Sequence, residues 1–153
     1  MPQPTRPAAL HEAGDAWLAD CSPHPDLTRA AWEAQDLAPI ASGPRWLVAE
    51  STLTDGMPAA TRIRDEQRGP ILADGIIGRA WWLVPTQAAE DLADVPHLTV
   101  HAAGWVLACP PMDTVVDGRF WLWRPDGSGY LTDPAVLAAA FGPGWYRCPA
   151  EAS

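Results

Sequence analysis

The stretch that most constrains the fold is residues 97–123, HLTVHAAGWVLACPPMDTVVDGRFWLW, which reads as three strands with their connections. Leu98, Val100 and Ala102 alternate with Thr99 and His101, the period-two signature of a half-buried strand. Gly104 then turns the chain into the apolar run 105–109, which Pro110-Pro111 ends. After a polar loop over 112–118, residues 119–123 alternate again. A continuous apolar run followed by an alternating one predicts a buried strand beside a half-exposed one, so the sheet is expected to pass through here.

The remainder of the chain supplies helices around that sheet. Its 153 residues suit one domain with a real core. Residues 1–7 read as a Pro-rich disordered tail, 8–142 as a single domain and 143–153 as an irregular tail. Leu10, Ala13, Trp17 and Leu18 give helical spacing over 8–20. Asp26 is read as the cap of a second helix, with Leu27, Ala30, Ala31 and Ala34 on one face. Residues 39–44 read as a linker of small residues and 45–49 as the first strand. Asp55 is expected to cap a short helix through 58–66, whose Arg62, Arg64 and Arg68 form a solvated face. Strands are expected at 71–73, at 76–84 after an Asp74-Gly75 hairpin signal, and at Tyr130-Leu131. Thr86 is read as capping a short acidic helix. Asp133-Pro134 opens a last helix ended by Gly142. The expected class is α+β: a single mixed or antiparallel sheet with an N-terminal helical pair and a C-terminal helix packed on it.

Charge limits the partners. Nineteen acidic residues face ten basic ones, all Arg, for a net charge of −9, which disfavours nucleic-acid binding. The three cysteines, Cys21, Cys109 and Cys148, show no CxxC spacing, and no apolar run reaches the length of a spanning helix or signal core. A cytoplasmic protein with reduced thiols and no membrane association is expected. Nine Trp are more than a core of this size usually holds, so most are assigned to the core and a minority to a groove.

A search for chemistry returns little. His97 and His101 would lie about 13 Å apart on a strand, too far to share a metal ion. There is no phosphate loop and no nucleophile elbow. Asp113, Asp117, Asp126 and Asp133 sit in turns, where Asp serves as turn former or cap. No metal site and no cofactor are expected.

The chain does resemble a known family. Gly78-Arg79-x-Trp81-Trp82-Leu83-Val84-Pro85, then 98–111 (LTVHAAGWVLACPP), then Gly118-Arg119-Phe120-Trp121-Leu122, resemble the N-terminal domain of bifunctional DNA primase-polymerases. These belong to the archaeo-eukaryotic primase superfamily, which has small stand-alone actinobacterial relatives. Trp17-Leu18 and Arg29-Ala30-Ala31-Trp32 extend the likeness, which spans roughly residues 10–141. The resemblance implies two-metal nucleotidyl transfer in DNA replication, with an acidic pair on an early strand, a later Asp and a His that meets the nucleotide. Here Ala80 stands at the His position and Thr99 at the later Asp. Of the early pair only Glu50 remains, in Ala49-Glu50-Ser51. Neither Ala nor Thr replaces a carboxylate on Mg²⁺. The resemblance therefore implies a pseudoenzyme, with Arg79, His101, Glu50 and Asp74 as a vestigial nucleotide pocket.

Three functions follow as expectations. One is a catalytically degenerate primase-polymerase-like domain that regulates by binding a protein partner. The second is a divergent Mg-dependent nucleotide binder or nucleotidyltransferase with relocated carboxylates, Glu50 and Asp74. The third is an acidic DNA mimic.

Overall fold

Two kinds of strand environment split the β-structure into two sheets. The computed structural model describes residues 6–142, over which the elements run α1 (Arg6–Asp20), α2 (Pro25–Glu33), β1 (Ala38–Ala41), β2 (Leu47–Thr52), α3 (Leu53–Arg62), β3 (Ile71–Asp74), β4 (Arg79–Val84), α4 (Ala88–Leu92), β5 (Thr99–Val100), β6 (Val106–Cys109), β7 (Arg119–Trp123) and α5 (Pro134–Phe141). Five strands form the main sheet in the order β5-β2-β4-β3-β7, and β1 pairs with β6 in a second sheet. Every one of these pairings is antiparallel. The class is the expected α+β, with the strands in two sheets.

The stretch 97–123 does supply three strands, but they are not neighbours. β5 and β7 are the opposite edges of the main sheet, and the apolar β6 pairs with β1 across its front. The expected buried strand is only half buried: in β6, Leu107 and Cys109 turn inward while Val106 is 52% exposed, because β6 and β1 form the outer layer on that face. β1 itself lies in the segment read as a linker: small residues and Pro39 hide a strand in which only Ala38 and Ile40 turn fully inward.

Strand alternation gives the main sheet two apolar faces. On the front, Val48, Leu72, Trp81, Leu83 and Trp121 pack with Leu18 of α1, Trp32 of α2, Ile40 of β1 and Leu107 of β6. On the back, Ala49, Ile71, Trp82 and Val84 pack with Ala59 and Ala60 of α3, Leu92 of α4 and Leu137, Ala140 and Phe141 of α5. The central sheet is therefore covered on both sides. Indole N–H groups reach acceptors across the front layer: Trp32 donates to the Cys109 carbonyl at 2.9 Å and Trp121 to the Pro110 carbonyl at 3.0 Å. Among the described residues no helix is long and apolar enough to cross a membrane.

Several local expectations need correction. α1 begins at Arg6, inside the expected tail, while residues 1–5, the tail 143–153 and Cys148 lie outside the described residues. α2 starts at Pro25 with His24 at its cap position, and it buries Thr28 and Trp32 while Leu27 is 67% exposed. Thr52, not Asp55, caps α3 by accepting the Asp55 N–H at 3.1 Å. The β3–β4 turn takes four residues, 75–78, so Ile76 and Ile77 leave the sheet. α4 has no side-chain cap, and Tyr130-Leu131 form no strand. Arg68 is not a solvated face residue: it donates to the Ile63 carbonyl and lies 4.2 Å over the Trp123 ring. Asp133 caps α5 as expected, accepting the Ala135 N–H at 2.7 Å.

Candidate functional site

The front face of the main sheet carries its charge at one end. In the β2–β4 register Glu50 stands opposite Trp81 and Thr52 opposite Arg79, so Glu50, Trp81 and Arg79 share that face. One Glu50 oxygen accepts from Arg79 Nε and from an Arg79 terminal amino group, each at 2.6 Å. The other accepts from Trp81 Nε1 at 2.9 Å and meets His101 Nε2 at 2.8 Å. His101 is held in turn. Its backbone N–H donates to the Val48 carbonyl at 2.9 Å, and its ring stacks on Trp105 with centroids 4.0 Å apart and planes at 4°. The Glu50 side chain is 16% exposed. Burial pushes its carboxyl up, but the bonds from His101, Trp81 and Arg79 outweigh that and hold it below the usual carboxylate range.

Asp74, buried at the end of β3, forms a second node. One oxygen accepts the backbone N–H groups of Ile76 and Ile77 at 2.9 and 3.1 Å, which fastens the four-residue turn. The other accepts from Arg119 Nε at 3.1 Å. Burial pushes this carboxyl up too. The two backbone N–H groups and the Arg119 guanidinium hold it below the usual range. Arg119 also donates to the Ala108 carbonyl at 2.9 Å and lies 4.4 Å over the Trp81 ring. Trp81 thus joins the two nodes: its N–H serves Glu50 and its face serves the guanidinium bound to Asp74.

The structure brings together all four residues singled out in the sequence, Glu50, Asp74, Arg79 and His101, in one network. The residues that complete it, Trp81, Arg119 and Trp105, had no assigned role. The spacing Arg79-x-Trp81 on a strand was a usable signal, since it places both side chains on one face. His97 does not share a strand face with His101. It sits in a turn at φ +68°, with Nδ1 3.8 Å from an Asp55 oxygen.

What this arrangement can do chemically follows from its pairing. A carboxylate that binds a metal ion offers free lone pairs in a field that attracts cations. Both Glu50 oxygens instead accept from donors, and Glu50 and Asp74 each face a guanidinium that repels a cation. Among the described residues no group of three or more His, Cys, Asp or Glu side chains could hold a metal ion. Thr99 lies opposite Glu50 in the β2–β5 register, exposed on the same face. Ala80 lies opposite Ser51 and packs against Gly56 of α3, so it points to the back of the sheet. The two positions where the resemblance expects a nucleotide-binding His and a metal-binding Asp are on opposite faces.

The described thiols are poor nucleophiles. Burial pushes both Cys21 and Cys109 up, and Cys21 accepts from Trp46 Nε1 at 3.3 Å. Comparisons with protein-family models, curated proteins and solved structures gave no match.

Proposed function

We propose that this chain is a non-catalytic binding domain on a primase-polymerase-like frame, acting through a protein partner. The observation that carries the reading is the saturation of Glu50. The one acidic side chain left where the resemblance implies a metal-binding pair has its oxygens taken by Arg79, Trp81 and His101. That supports a carboxylate retained to hold strands together.

The partner reading draws on the other end of the same network. The turn fastened by Asp74 projects Ile76 and Ile77, 75% and 57% exposed. Val115, 63% exposed, lies in the neighbouring loop, where an atom added at Gly118 would meet Ile76 at 2.6 Å. Exposed branched apolar side chains on a rigid turn suit a protein interface. The acidic field of the molecule favours a partner with a basic rim.

The test is primer synthesis and extension on a single-stranded template with Mg²⁺ and dNTPs, beside thermal melting in the same mixture. The reading predicts no product and no shift in melting. Product, or a saturable rise in melting that needs both Mg²⁺ and dNTP, would overturn it in favour of a nucleotide-binding enzyme. Binding to the natural partner is expected to fail in the Ile76→Asp, Ile77→Asp double variant.

A further inference from the structure

The end of the sheet opposite the ion-pair network holds a cleft of about 550 Å³, within the size range of small-molecule sites. β3 and β7 connect the two ends. Asp74 stands opposite Arg119 in the network, and Ile71 opposite Trp123 at the cleft. Trp17, Trp123 and Tyr130 line it, with Arg68, Arg124, Asp65, Glu66 and Asp126 among the polar groups.

The walls are built into the fold. Gly14 of α1 lies under the Pro125 carbonyl so closely that a Cβ there would sit 2.2 Å from the oxygen. Gly127 takes φ +90° and presses onto Ala13, where a Cβ would lie 2.8 Å from that side chain. These contacts clamp the loop after β7 onto α1. Asp126 stiffens the same loop by accepting the Ser128 N–H at 2.9 Å. On the facing wall Arg68 is pinned by Ile63, by Asp65 at 2.5 Å and by the Trp123 ring. A site fixed in this way pays little ordering entropy on binding.

The polar groups left over define the ligand. The terminal amino groups of Arg124, the Tyr130 hydroxyl and the indole N–H groups of Trp17 and Trp123 make no hydrogen bond among the described residues. Carboxylates of Asp65, Glu66 and Asp126 stand beside them as acceptors. Arg68 is paired with Asp65 and Glu66 with Arg64, which leaves Arg124 and Asp126 to balance each other, so the cleft carries no unpaired excess charge to draw an ion of either sign. A neutral hydroxyl-rich ring suits such a lining: each hydroxyl both donates and accepts, and the ring's C–H face packs on an aromatic side chain. We propose that this cleft is a binding site for a neutral sugar, stacked on Trp17 and Tyr130 and hydrogen-bonded by Arg124 and the indole N–H groups.

The test is a titration of the full chain with neutral cello-, malto-, xylo- and chito-oligosaccharides, followed by the indole N–H resonances. Trp17→Phe and Trp123→Phe assign the two signals. At least one sugar series is expected to move them saturably with Kd of about 1 mM or tighter. Tyr130→Ala is expected to weaken that binding roughly tenfold. Tyr130 is 45% exposed, so its truncation leaves the fold intact, and Leu27→Ser on the far side of α2 is expected to change nothing. The proposal is overturned if no sugar moves either signal up to about 10 mM. It is equally overturned if nucleosides, arginine or inorganic phosphate move them and sugars do not.

Discussion

Glu50 shows how a single carboxylate can read differently in sequence and in structure. In the sequence it is the surviving half of an expected metal-binding pair. In the fold it is the acceptor for three side chains from β4 and the segment after β5. No local pattern announces that, because the donors lie 29 to 51 residues further along the chain. The same holds for Arg119, which satisfies Asp74 from 45 residues away. Replacing Arg119 with Met leaves the nearly buried Asp74 charge with only its two backbone donors. The expected loss is about 3 kcal/mol in urea denaturation. Acid acts on both nodes. The folded carboxyl values of Glu50 and Asp74 lie below their unfolded ones, so the unfolded chain binds protons first as pH falls. Their stabilisation is complete above the unfolded values, 4.5 for Glu50 and 3.8 for Asp74, and drains away as pH drops through the lower folded values. Equilibrium unfolding between neutrality and about pH 3 is expected to show stability falling below about pH 5, and a flat profile there would contradict the pairing.

Elements were legible where their signals are local. Asp133-Pro134 marks the start of α5 because a cap and a proline at the first helical position are short-range chemistry, and the structure forms that cap. Asp133→Ala is expected to cost about 1 kcal/mol, measured by thermal or chemical unfolding. Elements were missed where a neighbour decides. β1 is short, small and interrupted by Pro39, and only pairing with β6 makes it a strand. α3 begins directly at the end of β2, so the capping role falls to Thr52 rather than to the more prominent Asp55. Leu27 looked like part of a buried helical face, yet α2 turns Thr28 and Trp32 inward because the Trp32 indole finds the Cys109 carbonyl. Docking of α1 on the loop after β7 is similarly invisible in sequence, since it rests on the missing Cβ of Gly14. Gly14→Ala is expected to destabilise by about 1–3 kcal/mol and to loosen that loop, measured as lost hydrogen-exchange protection around residues 125–129.

At the scale of the molecule, composition and alternation were enough to give an α+β domain, and not enough to tell one sheet from two. The split arises because β6 pairs with β1 and lays Leu107 and Cys109 onto the front of the main sheet rather than joining it. On the back, Phe141 meets the Trp82 ring edge-on at 5.7 Å and closes the helical layer. Phe141→Ala is expected to cost about 3–5 kcal/mol in chemical denaturation. The candidate site was legible as a set of residues and illegible as a function, because the same four side chains serve a reactive centre when unpaired and a structural one when paired. Pairing of these side chains serves stability, and Glu50→Gln probes it at the carboxylate that Arg79, Trp81 and His101 all meet. The amide keeps the shape but presents N–H groups to neighbours that are themselves donors. Residues kept for catalysis commonly cost stability, so replacing one tends to leave the fold unchanged or firmer. Equilibrium urea denaturation of Glu50→Gln is expected to show a loss of about 2–3 kcal/mol, and unchanged or increased stability would rule out a stabilising role for Glu50.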